Sequence, residues 1–235
     1  MKRMILVLTL ALVVLSAVAC AGGGGAGLTL GSAPWQDGEE AVYDVVDQGG
    51  RSLGTSTFGF ASQGAAWALT DRDAISNVDQ KSTVLIDAQT LKPLSLDKTI
   101  EAEGTDAVVK ATYPDGAGKM AIQAMVNGAN KDASVDVPAN ALDNDQILMT
   151  LRAAPLDEGY QASFVNVIAA RAAKVNTTVR VLGKETVTVP AGTFEAWRVE
   201  LNFSGTKQAA WYEVAMPHRL VQYDNGATKM LLTKG

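Results

Sequence analysis

Most of this chain alternates between hydrophobic and polar residues, and the clearest example lies near the C-terminus. Its hydrophobic positions are Trp197, Val199, Leu201 and Phe203, with one polar residue between each pair. Successive side chains of a β-strand point to opposite faces of the sheet, so this pattern predicts a strand with one buried face. Trp211 lies in a second predicted strand close behind it.

Similar short segments recur along the chain, separated by turn residues such as Asn127-Gly128. Strands are predicted at residues 40–46, 54–60, 65–70, 82–87, 107–113 and 119–126. Near Gly183-Lys184, flanking valines predict two strands joined by a tight turn, and Asn225-Gly226 predicts a hairpin. The spacing favours a mainly-β fold, built as a strongly curved antiparallel sheet or an open half barrel.

One segment has helical rather than alternating character. Asp143 can cap a helix, Gln146 follows three residues later, and Pro155 ends the hydrophobic run behind them. This pattern predicts a helix at 144–153 that covers part of the sheet. Residues 162–174 fit either a strand or a second helix, so we expect one or two short helices in all.

The N-terminus has the organisation of a bacterial export signal. Lys2 and Arg3 precede an apolar stretch, and small residues from Ala17 lead to Cys20, the only cysteine of the chain. This pattern resembles the lipobox of bacterial lipoproteins, although alanine at position 17 is less typical than leucine. It predicts a signal peptide at 1–19 and lipidation of Cys20; a secretory signal without lipid is the alternative. A membrane-spanning helix needs about 20 apolar residues, more than this stretch provides.

The lipidated cysteine would begin a Gly-rich tether at 20–34, followed by a single β-rich domain at 35–235. With Cys20 lipidated, no thiol is left for a disulfide or for catalysis. We therefore expect a location in the bacterial cell envelope, outside the cytoplasm, with the membrane contacted through the lipid.

The charge of the chain argues against binding to polyanions. The formal net charge is −5, and it becomes −7 when Lys2 and Arg3 leave with the signal peptide, because no acidic residue precedes Cys20. An acidic domain repels phosphate polymers, so we expect no nucleic-acid partner.

Residues with catalytic potential are few. His218 is the only histidine, which excludes histidine-rich metal sites, and its position between proline and arginine favours a solvated turn. Ser95 and Lys98 form an S-x-x-K sequence, but the accompanying motifs of penicillin-recognising enzymes are missing. Neither motif supports a catalytic site.

Two acidic motifs also have simpler interpretations. Asp143-Asn144-Asp145 resembles the start of a calcium loop, but it lacks the glycine and distal glutamate of such loops, and helix capping explains it. Asp71 and Asp73 could support glycoside chemistry only within a cleft that the sequence does not reveal. We expect no metal ion, no cofactor and no enzymatic activity.

The last third of the chain carries a recognisable series of motifs. They are Leu151-Arg152-Ala153-Ala154-Pro155-Leu156, Gly183-Lys184-Glu185, Val189-Pro190-Ala191-Gly192-Thr193-Phe194, Trp211-Tyr212 and Pro217-His218-Arg219-Leu220-Val221. In this order they resemble a bacterial envelope family classified as a domain of unknown function. The resemblance implies a curved sheet partly closed around a helix, similar to the half barrel of lipoprotein localisation factors, with an apolar concave face. It implies no reaction.

These observations leave two candidate functions. The first is a non-catalytic, membrane-anchored lipoprotein that binds a lipid or another hydrophobic ligand in its curved sheet. The candidate ligand-binding residues are Trp197, Val199, Leu201, Phe203 and Trp211, although tryptophans in such positions are more often core residues than binding platforms. The second is a structural or accessory lipoprotein with a filled core that binds an envelope protein partner.

Overall fold

The computed structural model describes residues 26–235. Cys20, the predicted signal peptide and the first part of the predicted tether lie outside the described residues. The strands are β1 (Glu40–Asp47), β2 (Ser52–Gln63), β3 (Ala66–Ile75), β4 (Val78–Asp87), β5 (Pro93–Ala102), β6 (Thr105–Thr112), β7 (Gly118–Val126), β8 (Ala129–Asn130), β9 (Ala133–Val137), β10 (Ala141–Asp143), β11 (Gln161–Ile168), β12 (Ala173–Val189), β13 (Gly192–Phe203), β14 (Thr206–Glu213), β15 (Leu220–Asp224) and β16 (Thr228–Lys234).

All sixteen strands belong to one curved sheet that is not closed into a barrel. Strands β1 to β7 pair in chain order, as do β10 to β16, and the pairing of β1 with β16 joins the two halves. Every pair is antiparallel except β10 with β11. The edges are β10 on one side and β8 and β9, which both pair with β7, on the other. The predicted fold class is therefore confirmed.

The helical segment also matches its prediction. A 3₁₀ turn (Asn144–Gln146), helix α1 (Ile147–Thr150) and a second 3₁₀ turn (Leu151–Ala153) follow one another without a break. The Asp143 carboxylate accepts the backbone N–H of Asp145 at 2.8 Å, and Gln146 accepts the backbone N–H of Asp143 at 3.4 Å. This reciprocal capping fixes the position where the chain leaves the sheet edge.

The predicted turn at Gly183-Lys184 is wrong. Strand β12 continues through it for 17 residues. Val181 pairs with Val199 and Gly183 with Arg198, so one extra residue of β12 forms a bulge there. Gly183 has a φ of +145°, which glycine adopts without a steric penalty, and the signal interpreted as a turn is the signal of this bulge.

Two other segments are settled by the structure. Residues 162–174 contain most of β11, a 3₁₀ turn (Ala169–Arg171) and the start of β12, so each of the two interpretations describes part of the segment. Strand β5, for which no strand was predicted, lies next to β4. Asn225-Gly226 lies in the connection between the antiparallel strands β15 and β16, as predicted.

The chain joins the folded body before residue 35. The backbone N–H of Leu28 donates to the Ser163 carbonyl at 3.1 Å, and the N–H of Gly31 donates to the Ala153 carbonyl at 2.8 Å. Leu28, together with Leu30 and Ala33, packs against the core. Residues 26–34, which the sequence assigns to the tether, therefore contact the domain. Within residues 26–235, no helix has the length and hydrophobicity needed to cross a membrane.

The main core fills one end of the concave face. Phe60, Leu69, Val84 and Leu96 lie opposite one another on β2 to β5, and all four are almost completely buried. The helical segment packs on the same side, with Ile147 also in the core. The opposite end of the concave face is not filled in this way.

Candidate ligand-binding cavity

The concave face contains a cavity of about 800 Å³, which lies within the range of roughly 300–1,000 Å³ that is typical of small-molecule sites. It lies at the end of the sheet where several strand pairs turn, among them β3–β4, β11–β12, β13–β14 and β15–β16. Its apolar wall includes Val45, Ile75, Ile100, Phe203 and Met230. The sheet therefore encloses space that its own side chains leave open.

Strand register shows how the polarity of the wall changes with depth. The residues next to the buried row of Leu69 and Val84 are Asp71 on β3, Ser82 on β4 and Lys98 on β5. One step further toward the turns, Asp73 pairs with Gln80, which pairs with Ile100. A polar layer thus separates the packed core from the apolar rim of the cavity.

The start of the helical segment completes this polar layer. Lys98 Nζ lies 2.7 Å from Asp145 Oδ2, and both side chains are almost completely buried. Asp143, in the capping position, also lines the cavity. We refer to the surface formed by Asp71, Lys98, Asp143 and Asp145 as the cavity floor.

Asp143 is held by hydrogen bonds to both of its carboxylate oxygens. Tyr113 donates its hydroxyl to Oδ2 at 2.5 Å, and the Asp145 backbone N–H donates to Oδ1. Burial, and then the adjacent Asp145 carboxylate, raise the pKa of Asp143, while these hydrogen bonds oppose the increase. Each carboxylate oxygen of Asp143 therefore already accepts a hydrogen bond from the protein. A ligand would have to displace Tyr113 or the Asp145 backbone N–H to take its place.

Asp71 and Asp73 are less completely satisfied. Ser56 donates to Asp71 Oδ1 at 3.3 Å, and Gln80 donates to Asp73 Oδ2 at 2.5 Å. Burial, followed by the carboxylates of Asp73 and Asp145, raises the pKa of Asp71 well above its ordinary value. Both donors are neutral, and neither carboxylate forms a salt bridge among residues 26–235, because Lys98 is paired with Asp145.

Asn166 lies on the β11 side of the same cavity. Its side chain is buried, with 1% exposed, and its amide Nδ2 donates to Asn144 Oδ1 at 3.0 Å. Its carbonyl oxygen Oδ1 is buried and accepts no hydrogen bond. A buried acceptor without a donor is unfavourable, so this oxygen is a candidate ligand contact.

The candidate residues on β13 divide between packed core and cavity. Val199 and Leu201 are fully buried, and Trp197 is 8% exposed. Phe203, the last residue of the strand, lines the cavity, whereas the other three do not. The predicted strand is correct, but only its final residue reaches the open space.

Trp211 lies on the opposite face of the sheet. It pairs with Arg198, whose guanidinium carbon is 5.7 Å from the Trp211 ring centroid. Its indole N–H donates to Glu185. Alternation along β13 places Val199 and Arg198 on different faces, so Trp211 does not lie beside the predicted stripe. The neighbour of Trp197 across the concave face is Tyr212.

Most charged residues of the cavity belong to sequence motifs to which no function was assigned. Asp71 and Asp73, the S-x-x-K residue Lys98 and the acidic pair Asp143 and Asp145 all meet at this site. Alternation could have shown that Asp71 and Asp73 share one face of β3. Their approach to the helix start could not be predicted, because it depends on how the two halves of the sheet curve.

His218 differs from its prediction. It lies in the connection between β14 and β15, but it is buried, with 8% exposed, rather than solvated. Its Nδ1 is 2.8 Å from the Glu213 carbonyl oxygen, and its φ of +52° belongs to a tight turn. Within residues 26–235, no group of three or more His, Cys, Asp or Glu side chains is arranged to hold a metal ion.

The family model of the protein of unknown function DUF3108 matches residues 29–233, and the chain belongs to this family. The resemblance seen in the C-terminal motifs is thereby confirmed at the level of an envelope family whose description assigns no function and no catalytic activity. No curated protein matches this chain.

One solved structure shows a similar fold. A beta-barrel-like protein of the domain of unknown function DUF1849 from Brucella abortus matches with a TM-score of 0.53 and 15% sequence identity, over 88% of this chain and 98% of its own. A protein from Bacteroides fragilis, described as exported and with a YmcC-like fold, has a TM-score of 0.32 at 12% identity, covering 88% of this chain and 99% of that one. At 15% identity, the likeness to the Brucella abortus protein concerns the fold alone.

Proposed function

We propose that this protein is a non-catalytic lipoprotein of the bacterial cell envelope that binds a hydrophobic ligand in the cavity of its curved sheet. The observation that carries the proposal is the cavity of about 800 Å³ on the concave face. A face that served only as packed core would be filled by side chains, because protein interiors are packed as densely as organic crystals.

The wall of the cavity supports a hydrophobic ligand. Ile75, Ile100, Phe203 and Met230 are each only partly buried, although they lie on the concave side of the sheet. A ligand that covers these side chains gains about 25 cal/mol for each Å² of apolar surface removed from water. Ligand sites commonly combine such apolar walls with a few polar groups, as this cavity does.

The proposed anchor is the lipid on Cys20. Two or three acyl chains on one cysteine would hold the protein stably at a membrane, since each buried CH₂ contributes about 0.8 kcal/mol. The anchor keeps the protein in the envelope, and the cavity gives it a ligand-binding role there. The cavity walls contain no group that requires a cofactor for this role.

Native mass spectrometry of the full-length protein, purified from membranes, tests the proposal directly. We expect a folded protein that carries a small hydrophobic molecule in addition to its covalent lipid. If the mass corresponds to the lipidated chain alone and the protein binds no hydrophobic probe, the accessory function, in which a protein partner is bound, is favoured instead.

A further inference from the structure

We propose that the cavity selects an amphipathic amine, with its ammonium group at Asp71 and Asp73 and its apolar chain directed toward the rim. This inference rests on the proposed ligand-binding function and specifies the chemistry of the ligand. It follows from which groups of the cavity already have partners and which do not.

Of the four carboxylates that line the cavity, only Asp145 is in an ion pair, and Asp71 and Asp73 are the two that accept just one hydrogen bond each. Lys98 is paired with Asp145 at 2.7 Å, and both are buried. The two oxygens of Asp143 accept from Tyr113 and from a backbone N–H. Only Asp71 and Asp73 remain, each with one hydrogen bond from an uncharged side chain.

An anionic headgroup is a poor fit to this surface. A carboxylate or phosphate placed beside Asp71 and Asp73 would face both carboxylates, while Lys98 is already engaged by Asp145 and Arg171 lies exposed in the turn between β11 and β12. Like charges in a poorly solvated site repel strongly. An ammonium group instead supplies the charge and the N–H donors that these carboxylates lack.

Asn166 gives a second, independent indication of a donating ligand. Its Oδ1 is the acceptor without a donor, and flipping the amide would place the NH₂ group away from its acceptor on Asn144. The open position on Asn166 therefore also calls for an N–H or O–H group. In the inner part of the cavity the unfilled positions on these three side chains are all acceptors, whereas Arg171, the other cation that lines the cavity, is exposed in the turn between β11 and β12.

The direction of the ligand follows from the order of the residues along β3. Asp71 lies next to the packed core, Asp73 comes next, and Ile75 is nearest the turn that leads to β4. On β5, Ile100 is similarly closer to the turn than Lys98. A polar group at the carboxylates therefore places an attached alkyl chain against the apolar rim.

The electrostatic state of Asp71 agrees with this arrangement. Its pKa is raised because burial and the facing carboxylates of Asp73 and Asp145 outweigh the attraction of Lys98 and the Ser56 hydrogen bond. An ammonium group beside Asp71 favours the ionised carboxylate, so ligand binding should release protons from the protein at pH values where Asp71 is protonated.

The test uses three probes with the same chain and different polar ends: decylammonium, decanol and decanoate, each below its micelle-forming concentration. Isothermal titration of the folded protein should show decylammonium binding about ten-fold or more tightly than decanoate, with decanol between them. This comparison needs no variant. Equal or tighter binding of decanoate would overturn the amine assignment while leaving the proposed cavity function intact.

A double variant, Asp71→Asn with Asp73→Asn, localises the effect. It should weaken decylammonium binding by about ten-fold or more and leave decanol binding nearly unchanged. The matched control is Asp97→Asn, an exposed carboxylate on the other face of β5 that pairs with Lys110. Unchanged decylammonium affinity in the folded double variant overturns the inference. Failure of all three probes to bind the wild type overturns both this inference and the proposed function.

Discussion

Lys98 and Asp145 join the two halves of the structure through a buried ion pair of 2.7 Å. Lys98 comes from the middle of β5, and Asp145 comes from the 3₁₀ turn that precedes α1. The pair fixes the helical segment against the sheet, and it also neutralises the only cation of the cavity floor. Its two roles can be separated experimentally.

Replacing one partner of this pair should destabilise the fold strongly. Lys98→Met leaves a buried carboxylate without its cation, at a cost of about 3–5 kcal/mol for a fully buried pair and less where the side chains keep some contact with solvent. Urea denaturation followed by circular dichroism measures the difference. The double variant Lys98→Met with Asp145→Leu should regain much of the loss; a double variant as unstable as the single one would contradict this account.

The raised pKa of Asp71 predicts an unusual pH dependence. In the folded state Asp71 binds its proton more tightly than in the unfolded state. Above the ordinary carboxyl pKa, the folded state therefore holds more protons, and this contribution to stability falls as pH rises through the folded-state pKa. Asp71→Asn removes the contribution, so the variant should gain stability relative to the wild type as the pH increases.

Denaturation curves from pH 4 upward test this expectation, with Asp97→Asn as the exposed control. The free energy of unfolding of Asp71→Asn should be closest to that of the wild type at acidic pH and should exceed it at alkaline pH. A difference between the two proteins that does not change with pH would show that Asp71 titrates alike in the folded and unfolded states.

Filling the cavity should prevent ligand uptake without unfolding the protein. Ile100→Trp places a large ring at the apolar rim, where open space can receive it. Binding of the uncharged fluorescent probe N-phenyl-1-naphthylamine should fall several-fold. Val108→Trp is the control, because Val108 is exposed on the neighbouring strand and does not line the cavity. Equal loss of binding in both variants would place the probe elsewhere.

Two substitutions on β13 distinguish packed core from cavity wall. Leu201→Trp should overpack the core and cost about 1–3 kcal/mol, because Leu201 is fully buried and does not line the cavity. Phe203→Trp, two residues further along the same face, should be tolerated, since Phe203 borders the open space. Thermal unfolding of both variants gives the comparison, and a destabilised Phe203→Trp with a stable Leu201→Trp would reverse the assignment.

The anchor is tested by Cys20→Ser. This variant should leave the fold of residues 26–235 intact and release the protein from membranes into the soluble fraction. Fractionation after a salt wash, with circular dichroism as a check on folding, measures the change. Continued membrane association of the folded variant would be inconsistent with a lipid anchor at Cys20.

The sequence was a good guide wherever structure depends on neighbouring residues. Alternation predicted most strands, and the capping pattern at Asp143 predicted the helical segment with its observed limits. The interpretation failed at Gly183, because a glycine that permits a bulge and a glycine that permits a turn give the same local signal.

The cavity was harder to predict, because its residues come from distant parts of the chain. The hydrophobic residues of β13 were predicted to bind a ligand, yet only Phe203 borders the cavity. Trp211 was grouped with that stripe although strand pairing places it on the other face. Asp71, Lys98 and Asp145 belong to three separate sequence motifs, and only the curvature of the sheet brings them together.

The bond between Leu28 and Ser163 has a consequence for the orientation of the molecule. Residues 26–28 run parallel to β11 beside Ser163, so Ala26 lies toward the opposite end of β11 from Ile168, the β11 residue that lines the cavity. If Cys20 carries the predicted lipid, only residues 21–25 separate it from Ala26, and the six Cα-to-Cα steps between Cys20 and Ala26 reach at most about 22 Å. So short a connection would hold the end of the sheet opposite the cavity toward the anchoring membrane. The cavity would then open toward the aqueous space of the envelope, where ligand exchange with a second protein or a facing membrane becomes possible.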